Sequence, residues 1–270
     1  MKSILTHCSH RTGFDTRLQV SLDVARRFGG HVSVVQPRLA QEYVAFDMVG
    51  GSHFIAQAFT AAETAREELK AKTEAMLSKG DIPWDWETID GSSISGAISD
   101  QARLADLVVL SLDDETSGLV GADGSLIGDV VMTTRTPIMA VPPTMKFMAF
   151  DSAAIAYDGS DEAANAVRAA VPLLAQCSKV TILEVGVAAD SFPVTDVAQY
   201  LARHSIHAVI EAMPRANSTI EEILLGATRS IAPDFLVMGA YGKSRWREAL
   251  FGGVTRYVLG QAGVPVFMTH

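Results

Sequence analysis

The sequence predicts an α/β fold of two tandem, doubly wound parallel sheets. Three observations lead there. Short apolar runs alternate with helix-period segments along the chain, the second half repeats the first in register, and a glycine-bearing loop follows the fourth strand of the second half. Runs such as Leu107-Val108-Val109-Leu110 are continuously apolar, as expected of strands buried on both faces of a parallel sheet.

The repeat is the strongest of the three. Asp106-Leu107-Val108-Val109-Leu110 matches Asp234-Phe235-Leu236-Val237-Met238 at an offset of 128 residues. At that offset Gly124 falls on Gly252, Val130 on Val258, and Thr136-Pro137-Ile138-Met139 on Val264-Pro265-Val266-Phe267. Two strands and a helix keep one register without a gap, so the chain divides into domains at 1–143 and 147–270, joined by Pro142-Pro143-Thr144-Met145.

The first copy opens with a strand at 3–8, followed by a helix over 15–28 with Leu18, Leu22 and Ala25 on one face and Gly29-Gly30 as its stop. A strand at 31–35 leads through Gly50-Gly51 to a long helix over 54–78, where Ile55, Ala58, Phe59, Ala62 and Leu69 recur at helical spacing. Gly80 and Pro83 end it, and Trp84, Trp86 and Thr88 alternate with Asp85 and Glu87 as a half-exposed strand. A helix over 93–103, a strand from Leu107, a helix over 126–133 and a strand at 138–141 complete the copy.

The second copy repeats that order. Strands are expected at 153–157, 180–185, 208–213, 235–238 and 266–268, with helices at 162–175, 195–204, 219–230 and from Val254 onward. Its front aligns at an offset near 148, through Gly30-His31-Val32 and Ser178-Lys179-Val180, so the first copy carries about twenty extra residues around Gly50 and the long helix. In such sheets ligands bind beyond the carboxyl ends of the strands, where the strand order reverses. Asp158 and Gly239 are therefore expected to share one crevice.

Composition narrows the function classes. With 48% hydrophobic and 20% charged residues over 270 positions the chain is globular, and a formal net charge of −9 argues against nonspecific nucleic-acid binding. Cys8 and Cys177 are far apart and make no disulfide framework, which fits a reducing compartment. No apolar run is long enough to span a bilayer, and no leader-like segment opens the chain, so a cytoplasmic protein without nucleic-acid or membrane partners is expected.

The loop after the second copy's fourth strand reads Gly239-x2-Gly242-x9-Gly252, followed by Gly253, Val254 and Thr255 at a helix start. Glycines let backbone N–H groups approach phosphate oxygens, and a helix N-terminus favours negative charge. The spacing is neither the Walker loop nor the dinucleotide fingerprint. Together with the first strand's end, Ala156-Tyr157-Asp158-Gly159-Ser160, it resembles the ATP-binding members of the universal stress protein family, and the element order resembles that family across both copies.

The resemblance implies a Rossmann-like fold of universal-stress type and a stress-response protein binding ATP or a related adenine nucleotide as a switch or sensor. By that resemblance the cofactor-binding residues are Tyr157, Asp158, Val185, Met238, Gly239, Gly242, Gly252, Gly253, Val254 and Thr255. Tyr157 ends the strand that leads to Asp158, Asp158 would contact ribose or adenine, Val185 and Met238 would line the adenine pocket, Gly239 and Gly242 would approach the phosphates, and Gly252, Gly253, Val254 and Thr255 would complete the phosphate site, with or without Mg²⁺. Lys243 and Arg245 are two further cations over that site or in solvent.

Gly253 stands where the family carries Ser or Thr, and Thr255 is the nearest replacement hydroxyl. The first copy departs further: Ser111 replaces Gly239, Asp113-Asp114-Glu115 would repel phosphate, and the copy is expected to be a degenerate partner although Gly124-Ser125 persists. The resemblance also implies pairing of the two last strands within one chain, an intramolecular pseudo-dimer, with a further homodimer left open. No catalytic residue is assigned, and at most slow ATP hydrolysis is expected. The alternative is a scaffold, or a binder of another small ligand, that takes no nucleotide.

Weaker constellations add little. His7, Cys8 and His10 lack a second ligand cluster for a metal, and the carboxylates at 113–115 lack calcium-loop spacing. His204 and His207 suit a helix end, and the serines lack a Gly-x-Ser-x-Gly elbow.

Overall fold

A computed structural model of the chain describes residues 1–10, 13–39, 52–112, 126–185, 192–213, 218–240 and 253–270. The first half contains β1 (Ser3–His7), α1 (Phe14–Phe28), β2 (His31–Leu39), α2 (Ser52–Leu77), β3 (Trp84–Gly91), α3 (Ile94–Gln101), β4 (Leu107–Ser111), α4 (Leu126–Thr133) and β5 (Ile138–Val141). The second half contains β6 (Ser152–Tyr157), α5 (Asp161–Leu174), β7 (Lys179–Val185), α6 (Val194–Arg203), β8 (Ala208–Met213), α7 (Ile220–Ile231), β9 (Phe235–Gly239), α8 (Gly253–Gln261) and β10 (Val266–Thr269).

All ten strands form one sheet in the order β3-β2-β1-β4-β5-β10-β9-β6-β7-β8. Each half winds identically: its first three strands run outward, then the chain crosses back so that its fourth and fifth lie on the other side of the first. Every pairing is parallel except one. β5 and β10 run antiparallel, with Ala140 opposite Val266 and Ile138 opposite Met268, and join the halves through main-chain bonds.

Strand alternation distributes the core to two faces. Ile4, Val32, Val109, Ile155, Val237 and Phe267 lie in one buried cluster with residues of α1, α5 and α6. Leu5, Val108, Leu110, Leu236, Met238 and Val258 lie in the other, with residues of α3, α4, α7 and α8. Among the described residues no helix is long and apolar enough to cross a membrane.

One carboxylate fixes the start of each half. Asp106 accepts hydrogen bonds from the backbone N–H of Lys2 and Ser3, and Asp234 accepts from those of Asp151 and Ser152, both at 2.8 Å. Each occupies the position before its half's fourth strand, and each pins the first strand beside it. These bonds, the one from Lys2 first, hold the Asp106 carboxyl below its ordinary pKa.

Two features differ from the sequence reading. β2 continues past Val35 to Leu39 because β3 pairs with it there, Gln36 to Leu39 lying opposite Thr88 to Gly91; β1 pairs with it only as far as Val35, and no described strand flanks that side at Pro37, where a proline is tolerated. The helix expected over 93–103 ends as α-helix at Gln101 and tightens into a 3₁₀ turn over Ala102–Leu104. The connector after Pro142 is packed: Thr16 Oγ1 donates to the Pro143 carbonyl at 2.8 Å, the Met148 N–H to Asp23 at 2.9 Å, and Phe150 meets Phe28 edge-on.

The extra length of the first half is consistent with its second helix, 26 residues in α2 against 10 in α6. Gly50 and Gly51 lie outside the described residues.

Candidate functional site

β6 delivers the first functional side chain. The strand ends at Tyr157, Asp158 follows, and Gly159 turns the chain with φ of 80°, in the left-handed region. Ser160 then caps α5, its Oγ accepting from the Ala163 N–H at 3.2 Å. Asp158 Oδ1 accepts from the Ser160 N–H at 3.0 Å and from its hydroxyl at 2.6 Å. This turn fixes the orientation of an exposed carboxylate whose second oxygen has no partner among the described residues.

β9 delivers the second component. Ala156 pairs with Met238, so Asp158 and Gly239 leave adjacent parallel strands at the same edge of the sheet. This is where the strand order of the second half reverses, the position that binds ligands in doubly wound folds. Met238 and Val185, at 5% and 4% exposure, share the face that carries Ala156, Ala240 and the half-buried Val254. Val254, in the first turn of α8, packs against the same core cluster, and the start of α5 lies beside the end of β9, bringing the positive end of that helix dipole to Gly239.

The remaining residues divide as follows. Tyr157 is buried on the opposite face from Met238, its hydroxyl donating to the Phe192 carbonyl at 3.1 Å. Burial first, and the nearby charges of Asp158, Asp196 and Glu184, raise its phenol pKa to about 12, so it stays a donor. Thr255 is buried in the first turn of α8. Gly242, Gly252, Lys243 and Arg245 lie outside the described residues, as do Asp113, Asp114, Glu115, Gly124 and Ser125 of the first half.

Gly239 has a second constraint that the motif does not express. A Cβ there would stand 2.6 Å from the backbone of both Glu162 and Ala163. The first turn of α5 rests directly on the end of β9, and only glycine admits that approach.

The equivalent position in the first half is built from different groups. There β1 and β4 are adjacent, Ser9 follows in the place of Asp158, and Ser111 takes the place of Gly239. Arg17, fully buried on α1, reaches across: Nε donates to the His7 carbonyl at 2.5 Å, Nη1 to Ser111 Oγ at 2.9 Å, and Nη2 to Ser9 Oγ at 2.6 Å. Ser111 Oγ in turn donates to the Gly13 carbonyl at 3.0 Å. The sequence reading missed Arg17. The available signal was a lone arginine on the helix face otherwise formed by Phe14, Leu18, Ser21 and Ala25.

A groove of about 560 Å³ lies away from both crevices, between α3 and α4. Its hydroxyls are already committed, Ser99 to Thr133 at 2.7 Å and Thr136 to the Ala102 carbonyl at 2.6 Å, and Arg103 pairs with Asp100. No group of three His, Cys, Asp or Glu able to hold a metal occurs among the described residues.

Comparison with known proteins bears on the same half. Residues 150–270 match the sequence model described as the universal stress protein family. A universal stress protein from Archaeoglobus fulgidus DSM 4304 superposes with a TM-score of 0.67 at 16% identity, over 99% of this chain and 96% of that one. A proposed universal stress protein from Pseudomonas aeruginosa UCBPP-PA14 gives 0.57 at 12% identity, over 100% and 93%. A functionally unknown protein from Pseudomonas aeruginosa PAO1 gives 0.56 at 11%, over 100% and 92%. At these identities the likeness is one of fold, extending over both halves. No curated protein sequence matches the chain.

Proposed function

We propose that this chain, whose residues 150–270 match the model of the universal stress protein family and whose first half repeats their fold, is a stress-response protein that binds an adenine nucleotide, ATP in the first instance, at the carboxyl ends of β6 and β9. The observation that carries the reading is the exposed Asp158 carboxylate, fixed by Ser160 and next to the side-chain-free end of β9 at the reversal of strand order. A carboxylate oxygen accepts from ribose hydroxyls or an adenine amino group. Val185 and Met238 give the purine an apolar floor, and Tyr157 holds the end of β6 in place from the other face.

The phosphates fall to backbone N–H groups, those of Gly239, Gly242, Gly252, Gly253 and Val254, with the Thr255 hydroxyl in the first turn of α8. Mg²⁺ accompanies a triphosphate there by neutralising its charge. Binding acts as a switch or sensor, and the reading assigns no catalytic base. The first half takes no nucleotide, since Arg17 ties the ends of β1 and β4 together and Ser9 replaces the acid.

Native mass spectrometry of the purified chain tests this directly. A bound mass of one adenine nucleotide per chain, lost on mild activation, is the expected result. A ligand of other chemistry, or none after incubation with ATP and Mg²⁺, rejects the reading.

A further inference from the structure

The two outer edges of the ten-stranded sheet are built differently. β3 is guarded: Pro83 precedes it, Asp85, Glu87 and Asp90 are exposed along it, Asp85 and Asp90 pair with His31 and Arg38 of β2, and α3 packs against it. Acidic side chains, a proline and a covering helix are the devices by which edge strands avoid further pairing. β8 carries Glu211 alone among charged residues, and no described segment pairs with its outer side.

Among the described residues the two faces of β8 are covered unequally, with Met213 alone packed into the second core cluster. Ala208 and Ile210 pack toward α6 with the core. The intervening residues emerge on the other face, where α7 packs over β7 and β6 rather than over this strand. Val209 is 60% exposed there, and His207 and Glu211 flank it, also exposed. An exposed β-branched residue between a base and an acid at two-residue spacing is a self-complementary pattern. In an antiparallel pair centred on Val209, each Val209 meets its own copy and each His207 stands opposite Glu211 of the other strand.

We propose that β8 is a docking edge for a second copy of this chain, the two β8 strands pairing antiparallel about a two-fold axis at Val209. The occupant follows from charge: the register that buries Val209 against itself is the one that opposes His207 and Glu211, whereas the acidic edge of β3 offers Glu211 only repulsion. A single strand pair buries less than the roughly 1,000 Å² of a stable interface, so the dimer is weak and concentration-dependent. The contact lies at the outer edge of the sheet, several strands away from β5 and β10.

Sedimentation velocity of the purified full-length chain over a wide concentration range tests the proposal. Wild type is expected to show a reversible monomer–dimer equilibrium. Val209→Lys, which sets two ammonium groups against each other, and His207→Glu, which opposes two carboxylates, are each expected to weaken it by about tenfold or more. The double variant His207→Glu/Glu211→Lys exchanges the charges and restores the dimer, a rescue that a general loss of stability does not give. Thermal unfolding of each variant checks that the fold is kept. A wild-type chain that stays monomeric leaves the edge free or to another protein and overturns the proposal, as does a dimer indifferent to Val209→Lys or a double variant without rescue.

Discussion

Asp158 and Arg17 show how one scaffold position can be used in opposite ways. Asp158 keeps one carboxylate oxygen without a partner among the described residues while Ser160 fixes the other; at the equivalent level of the first half, Arg17 donates to His7, Ser9 and Ser111. Arg17→Met would leave a carbonyl and two hydroxyls without their donor in a buried setting. It is expected to lower stability by about 2–4 kcal/mol, read by urea unfolding, while leaving nucleotide binding in the other half unchanged. The thiols give a second prediction at this scale. Burial raises both Cys8 and Cys177 to a pKa of about 12, so maleimide labelling near neutral pH should be slow in the folded chain and fast in denaturant. Rapid labelling of Cys8 in the native protein would contradict the packing of the β1 end.

At the scale of elements, close approach and strand capping decide the geometry of the crevice. Gly239→Ala forces a Cβ against the backbone of Glu162 and Ala163, so α5 must shift away from β9. A loss of about 1–3 kcal/mol in stability is expected, with weaker nucleotide binding because the turn holding Asp158 moves with the helix. Stability unchanged within error would show that α5 is not seated on that glycine. Asp106 bears on acid stability. Its folded pKa lies below the ordinary carboxylate value of about 3.9, so its contribution is complete above that pH and is lost as the pH falls through the depressed folded value. Asp106→Asn should therefore lower stability at neutral pH and make the acid limb of the stability profile shallower below about pH 4. A parallel shift at all pH values would remove this carboxylate from the account.

For the whole molecule, the antiparallel seam between β5 and β10 makes two copies of one winding into a single sheet, with one candidate nucleotide crevice and one closed counterpart. Much of this was legible in the sequence, because the repeat at one offset and the continuously apolar strands depend on local pattern. The juxtaposition of Asp158 with Gly239 followed from strand order alone. Other features depend on contacts distant in sequence. The double role of Gly239 depends on where α5 lands, the extent of β2 on how far β3 pairs with it, and the bridging by Arg17 on the helix being rotated to face two strand ends. A charged residue on an apolar helix face was visible, but its partners were not.

Isothermal titration of the full-length chain with ATP and Mg²⁺, for wild type and Asp158→Ala side by side, tests the central claim most directly. The structure predicts saturable binding to wild type at one nucleotide per chain, and at least about tenfold weaker binding to the folded variant, the range expected for a lost charge-assisted hydrogen bond. Two nucleotides per chain, no saturable binding, or equal affinity in the two proteins would contradict it.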